Sequence, residues 1–382
     1  MEAVADRTHP TPGKPSAFDL TVIGGGPAGT SAAITAARAG AQVLLLERGR
    51  LPRQRVCGEF VSAESLALLA GLLDRTAPGL LQQALRIPEA RLFFDGHSVP
   101  TQVEPAAASV ARFDLDFALW RAAEEVGVRA QLETSVESIS GRGPFTLRTR
   151  DGRFHSQAVI NATGRWSNLR AASPRSDLDR EDKWLGIKGH FSEISPHLSV
   201  DLYFFEGGYC GVQPVELAGT QASEGRINAC AMVRSDVARS LPEVFAQHPQ
   251  LKERAQTWRS LMEPVTTSPL IFGEPESVEH NVLLAGDAAG FVDPFVGDGI
   301  SLALRSGVLA AECLGPFFKA QASLAEAVLR YRKAYQERLL PVFRNSSRIR
   351  RLLGLPRPIR RSVGHLLEAA PAVSRFLISL TR

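Results

Sequence analysis

The sequence predicts an α/β fold: a Rossmann-like dinucleotide-binding domain that carries an inserted antiparallel-sheet domain and ends in a helical tail. Three observations lead there. First, Asp19-Leu-Thr-Val-Ile-Gly24-Gly-Gly26-Pro27-Ala28-Gly29 reads as a strand, a GxGxxG turn and a helix start, and a second strand over 42–46 then ends at Glu47. Strand, glycines, helix, strand and acid at this spacing make the nucleotide-binding half of a doubly wound sheet. Second, far along the chain, Asn281-Val-Leu-Leu-Ala-Gly286-Asp287 is another short apolar strand closed by glycine, and Gly297 and Gly299 open an apolar helical run over 300–314. Third, the strand-like stretches between these two units require a sheet of their own.

Composition bounds the answer. A chain of 382 residues, 44% apolar and 22% charged, is an ordinary globular protein with room for a sizeable core. Cys57, Cys210, Cys230 and Cys313 are scattered without a CxxC pair, which argues against a metal site or a disulfide framework and for a reducing, cytoplasmic setting. No nucleic-acid partner is expected. No apolar run approaches the roughly 18 residues of a membrane span. Residues 1–17 lack an apolar signal core and carry three prolines, so a disordered leader is expected there. The net charge of +4 is unevenly spread, because residues 341–382 hold nine arginines against one acid, Glu368. That stretch carries +8 and leaves −4 for the rest, an asymmetry that suits a solvated helical face or peripheral contact with an anionic membrane.

In the first unit the glycines divide the work. Gly24 makes the turn, Gly26 lets a pyrophosphate approach, and Gly29 packs helix on strand. Pro27 stands where its missing N–H costs nothing, and Gly40 sits where the helix must end. Glu47 is placed to receive adenosine ribose hydroxyls, which argues against a 2′-phosphate in this site; Arg48 follows it. The loop Leu51-Pro-Arg-Gln-Arg55-Val-Cys57-Gly58-Glu59-Phe60 sets arginines beside the nucleotide. Cys57, without a second cysteine nearby in sequence, reads as a small buried filler. Helical segments are expected over 63–85 and strands over 90–95 and 99–103. Arg112 opens an amphipathic helix with Asp114 and Asp116 in its first turn and Gly127 at its end. A hairpin around Asp151-Gly152 leads into Val159-Ile-Asn161-Ala162-Thr163-Gly164, a strand ending in small residues that leave room for a cofactor across the sheet edge.

Asp287 stands at the carboxyl end of its strand, just before a glycine-rich helix start with free N–H groups. Such a site suits a ligand with a ribose-like polyol and an anionic centre, and FAD has both. The first domain is thus a Rossmann-like FAD-binding domain, assembled from residues 18–85, 105–170 and 275–315. A substrate domain takes 86–104 and 171–274, with strands over 184–191, 200–205, 208–214 and 226–233 and helical pieces between 241 and 261. A helical, basic region occupies 316–382. Lys188, His190, Tyr209 and Gln213, with Cys57, are candidate substrate-cavity residues, although each also suits an ordinary sheet face and no acid/base partner shows in the sequence. No second GxGxxG occurs, so NADH or NADPH is expected only as a transient reductant.

Gly24 to Gly29 with Glu47, the Arg112 helix, Asn161-Ala-Thr-Gly164 and Gly286-Asp287 follow the order seen in the FAD-dependent monooxygenase and geranylgeranyl reductase superfamily, which the chain resembles over about residues 18–315. Arg55-Val-Cys57-Gly58-Glu59 is similar to the Cys-Gly motif of the geranylgeranyl reductase-like branch, and residues 286–300 are similar to its flavin loop. The resemblance implies that Asp287 holds the FAD ribityl and pyrophosphate, that Arg112 lies against the flavin, that Thr163 and Gly164 border it, and that Gly297, Gly299 and Ile300 face the isoalloxazine. The chain departs from its relatives in three places. Gly290 stands where aromatic hydroxylases usually carry His, the Trp-x-Trp-x-Ile-Pro motif of flavin halogenases is missing, and Gly208-Tyr209-Cys-Gly-Val-Gln-Pro214 replaces the aromatic-rich stretch of isoprenoid reductases. The expectation is an FAD-dependent oxidoreductase. Hydroxylation of a small apolar aromatic, polyketide or quinone-like substrate ranks first, reduction of isoprenoid double bonds second, and a flavin-binding electron carrier third.

Overall fold

The computed structural model describes residues 17–74, 76–94, 96–165, 169, 183–216, 224–270, 272–292 and 297–353. The expected leader (but for residue 17), Asp293 and Pro294 of the flavin loop, and residues 354–382 of the basic tail lie outside them.

β1 (Phe18–Ile23) runs nearly fully buried into Gly24, whose φ of 109° suits glycine, and α1 (Pro27–Arg38) follows with proline in its first turn. β2 (Val43–Leu46) is buried on both faces and pairs parallel with β1, as strands covered on both sides do. Next come β3 (Phe60–Val61), α2 (Ala63–Leu73), α3 (Pro78–Gln82) and a long antiparallel pair, β4 (Leu85–Phe94) and β5 (His97–Ser109). The expected helical stretch therefore stops at Gln82, and Leu85 already belongs to a strand. β5 runs well past 103, with Pro105 carried inside it, and its last residue Ser109 pairs with Leu85. α4 (Arg112–Glu125) returns the chain to the first sheet through β6 (Arg129–Gln131), β7 (Val136–Gly141), β8 (Phe145–Thr149) and β9 (Gly152–Asn161).

The second sheet continues with β10 (Trp184–Ile194), β11 (Ser199–Phe205), β12 (Gly208–Glu216) and β13 (Glu224–Arg234). α5 (Leu241–Ala246) and α6 (Pro249–Arg254) follow, then β14 (Arg259–Ser260) and β15 (Val265–Leu270). The chain re-enters the first sheet with β16 (Val278–Glu279) and β17 (Val282–Leu284), makes a single 3-10 turn over Gly286–Ala288, and closes with α7 (Gly299–Phe318), α8 (Leu324–Arg338) and α9 (Leu340–Leu353).

The first sheet has the order β16-β17-β9-β1-β2-β6, with the β7–β8 hairpin attached through β8 to β9. β17, β9, β1, β2 and β6 are mutually parallel. β1 lies between β2 and β9, so the crevice where a doubly wound sheet binds its ligand opens past Ile23 and Asn161. The second sheet has the order β14-β10-β13-β12-β11-β4-β5-β3, with β15 also on β10. Alternation along its strands gives two faces. Ile187, Phe191, Cys210, Val212, Ala229 and Ala231 pack outward with Phe245 of α5, while Lys188, His190, Gln213, Asn228 and Cys230 point inward to the first sheet. α7 is long and apolar enough to cross a membrane by length and composition, which corrects the expectation that no segment qualifies. Leu302, Leu304, Leu309, Ala310 and Leu314 instead place it in the main core against α1.

A Cβ on Gly29 would lie 1.8 Å from the Gly24 carbonyl oxygen. Gly29→Ala must therefore push α1 off the glycine turn, at a cost of about 1–3 kcal/mol. We expect a lowered melting temperature together with loss of bound flavin, read from the visible absorbance per protein.

Candidate active site

The cradle starts where β1 meets α1. Gly26 caps α1 with extended backbone, and no side chain among the described residues caps that end, so the first N–H groups are available to an anion. A Cβ on Gly24 would stand 2.3 Å from the Ala162 carbonyl and one on Gly25 2.8 Å from Trp120, whereas one on Gly26 would meet nothing closer than Arg112 Nη2 at 4.0 Å. Gly24, Gly25 and Gly29 are therefore small for packing, and Gly26 faces open ground. Pro27 and Ala28 are buried under it. Glu47 is 4% exposed and accepts from Gly25 N at 2.8 Å, Gly49 N at 2.8 Å and Arg53 Nη2 at 2.5 Å. It thus serves first to hold the glycine turn to β2. Burial raises its pKa, but the Gly25 N–H and the Arg53 charge outweigh this and hold the carboxyl below its usual range. Arg48 is exposed.

Three guanidinium groups gather here. Arg112 forms a bidentate pair with Asp116, at 2.7 and 2.8 Å. Burial alone would lower its pKa, yet the Asp116 carboxylate holds it above the usual arginine value. Arg55 goes the other way: burial, then the charges of Arg53 and Arg112, bring it down to about 10. Crowded cations beside an uncapped helix start make a site for a dianion, and the donor set fits a pyrophosphate.

The polyol side lies across the sheet edge. Asn161 ends β9, and its Oδ1 accepts from the Thr163 N at 3.1 Å and hydroxyl at 2.6 Å, before Gly164 turns the chain at φ 77°. Gly286, at φ 60°, donates its N–H to Ser306 Oγ at 2.8 Å and presents Asp287, whose side chain is 34% exposed. Arg165 stands 3.5 Å from that carboxylate with its guanidinium 4.2 Å above the Phe291 ring. Gly297, at φ 75°, lies so close to Phe60 that a Cβ would sit 2.8 Å from its ring, while Gly299 opens α7 with nothing within 4 Å. Ile300 is 3% exposed and its side chain belongs to the core, so only its backbone can face a ligand.

A glycine turn with cations at one end of a crevice, and a carboxylate with a second helix start at the other, define an FAD-dependent oxidoreductase. The chain belongs to the FAD binding domain family, whose model matches residues 17–341. It is 28% identical to a menaquinone reductase of Mycobacterium tuberculosis, over 78% of this chain and 76% of that protein. It is 26% identical to digeranylgeranylglycerophospholipid reductase 2 of Methanopyrus kandleri, over 86% and 84%. A flavin-dependent brominase has the same fold, with a TM-score of 0.74 and 18% identity over 96% and 93% of the two chains.

Beside the cradle lies a seam that sequence reading missed. Glu59 Oε1 accepts from Lys188 Nζ at 2.5 Å and from Arg112 N at 3.0 Å, and its Oε2 lies 2.9 Å from His190 Nε2. Lys188 also donates to Gln54, at 3.0 Å. Lys188 and Glu59 are fully buried and His190 is 3% exposed. Burial pushes the Glu59 pKa up, but the His190 hydrogen bond and the Lys188 charge outweigh it and hold the carboxyl low. The signal was present: Lys188 and His190 share one face of an otherwise apolar strand, which demands a buried counter-charge. Lys188 and His190 thus form a buried polar seam with Glu59, and Gln213, also buried, donates to Ser109 Oγ at 2.7 Å. Tyr209 is buried too, with its ring 5.8 Å from Phe204. Cys57, expected as a buried filler, is half-exposed, and Cys230 of β13 lies within its electrostatic reach.

Glu59→Gln leaves Lys188 buried without its counter-charge, and we expect a loss of about 3–5 kcal/mol, seen in chemical denaturation. The double variant Glu59→Gln/Lys188→Met should recover most of it. Because the folded Glu59 pKa is depressed, its contribution is present above the ordinary carboxylate range and is lost as pH falls through the folded value. Melting temperature should therefore fall more steeply in acid for the parent protein than for the double variant.

Proposed function

We propose that this protein is an FAD-dependent reductase that saturates a carbon–carbon double bond of an isoprenoid lipid. The observation that carries this reading is the apolar half of the inner face of the second sheet. Phe94, Val99, Phe204, Tyr209, Met232 and Leu270 form one cluster there, and Phe291 of the flavin loop packs against it. An apolar chain laid along that cluster would reach the cofactor edge, a setting that suits lipid substrates. The two similar reductases, named for menaquinone and for a digeranylgeranylglycerophospholipid, support the same class.

When bound, FAD supplies hydride transfer, with NADH or NADPH as the transient source of electrons. Arg53, Arg55 and Arg112 would hold its pyrophosphate, Glu47 would meet the ribose, and Asp287 the ribityl chain. The α7 start, worth about half a positive charge, would favour negative charge on the ring. In this reading the first sheet with its helices is the FAD domain, and the second sheet covers the substrate and excludes water.

A second reading, hydroxylation of an aromatic or quinone-like substrate, ranked first on sequence alone and uses the same cradle. One observation favours it: β12 lacks the aromatic-rich stretch of isoprenoid reductases. With NADPH and menaquinol as the probe, the reductase reading predicts substrate-dependent oxidation of NADPH that persists without oxygen. Oxygen uptake stimulated by substrate, with no anaerobic turnover, would instead establish hydroxylation.

We also propose that the basic tail contacts an anionic membrane, where such a substrate resides. Val342 and Phe343 are buried in the main core, so the tail available for this begins later than residue 341. Removing residues 354–382 takes away five arginines and one acid. Binding to phosphatidylglycerol vesicles should weaken by at least tenfold, at about 1 kcal/mol per arginine near the surface; unchanged sedimentation with vesicles overturns the idea.

A further inference from the structure

β10, β13 and β12 are adjacent strands, and their registers set His190 opposite Asn228 and Asn228 opposite Gln213. Three polar side chains thus form a row across the inner face, 3%, 1% and 2% exposed in that order. The row is tied down on one side only. Asn228 Nδ2 donates to the Cys57 carbonyl at 3.0 Å, Gln213 Nε2 donates to Ser109 Oγ at 2.7 Å, and His190 is held by Glu59. What is left is chemically one-sided, because Asn228 Oδ1 and Gln213 Oε1 are buried acceptors with no hydrogen-bond partner among the described residues. A buried acceptor left unmet is destabilising, so a neighbouring pair calls for a donor.

Two residues along the same strands and on the same face, Cys230 stands opposite Gly211, and both are half-exposed. Two further on, Met232 stands opposite Tyr209, where the apolar cluster begins. The face therefore reads, in order, as carbonyl acceptors, a floor of small residues beside Cys57, and an aromatic wall. We infer that this strip is the substrate subsite for a hydrogen-bond-donating head. A phenolic or quinol hydroxyl shares its one proton between the Asn228 Oδ1 and Gln213 Oε1 acceptors, the ring lies over Gly211 and Cys230, and the apolar chain runs on to Tyr209, Met232 and Phe204. Phosphate and carboxylate heads are refused, since the row offers them carbonyl oxygens and the nearby cation, Lys188, is held by Glu59 and Gln54. The inference deepens the proposed function and rests on it only for the identity of the chain.

The Ser109 hydroxyl can accept or donate, so a turned Gln213 would aim an N–H at Asn228 and close the row on itself. Calorimetric titration of the FAD-loaded, full-length protein with 1-naphthol and with 1-methoxynaphthalene separates the two arrangements. We expect 1-naphthol to bind at least tenfold tighter than the ether. In Asn228→Leu, and separately in Gln213→Met, the two probes should bind alike, with the ether as tight as before; two variants guard against one that fails to fold. Equal binding of both probes to the parent protein, or a preference that survives both substitutions, overturns the subsite. Preferential naphthol binding without anaerobic turnover would sink the reductase reading and leave the subsite standing.

Discussion

A carboxylate cannot be buried unless its charge is met, and Glu59 is fully buried where the two sheets join. Its partners Lys188 and His190 lie 129 and 131 residues further along the chain, so the ion pair forms only when β10 has docked on the loop that follows β2. Glu59 also has a φ of 63°, a left-handed conformation that costs a residue with a side chain roughly 1–3 kcal/mol. The network offsets that cost. Because the same Oε1 accepts the Arg112 N–H, it fixes the start of α4 as well, and with it the guanidinium beside Gly26. The seam between the sheets and the cofactor cradle are therefore one connected structure.

The cradle has an electrostatic logic of its own. Glu47 and Asp116 are each engaged by an arginine, and Arg55 is the third cation in the group, with its pKa brought down to about 10 by burial and by its neighbours. A diphosphate brought to Gly26 would turn that mutual repulsion into attraction. Cofactor binding and stability are then linked, since whatever binds only the folded chain stabilises it. Arg165 plays a similar part at the other end, where it neutralises Asp287 and covers Phe291.

The nucleotide half of the fold was legible because its determinants are local. GxGxxG, Pro27 and the interval to Glu47 each act within one βαβ unit, and β1, α1 and β2 lie within a residue or two of where sequence places them. The strand at 282–284 and the helix start at Gly299 were legible for the same reason. Misreadings came where a local signal was overruled by distant pairing. Leu85 joins β4 because that strand pairs with β5, and β5 runs on past 103 to Ser109, which lies opposite Leu85. The largest omission was Glu59, since no spacing rule connects it to Lys188 or to His190. Cys57 and Cys230 likewise become neighbours only through strand order.

The cradle itself does not choose the chemistry. Reductases and a brominase share this fold, and a fold hosts whatever reaction its site permits. In this chain the residues we propose for the cofactor come from strand ends and helix starts of the first sheet, where the glycine turn and the helix start must be kept. The inner face of the second sheet is under no such constraint. There, alternation places one residue in two toward the cofactor, so a few substitutions on β10, β12 and β13 can exchange acceptors, small residues and aromatics without touching the outward core of Ile187, Val212 and Ala229. Cofactor binding and substrate choice are thus separable in this architecture. What joins the two sheets here is the seam at Glu59, where a residue of the loop after β2 takes its counter-charges from β10 of the second sheet.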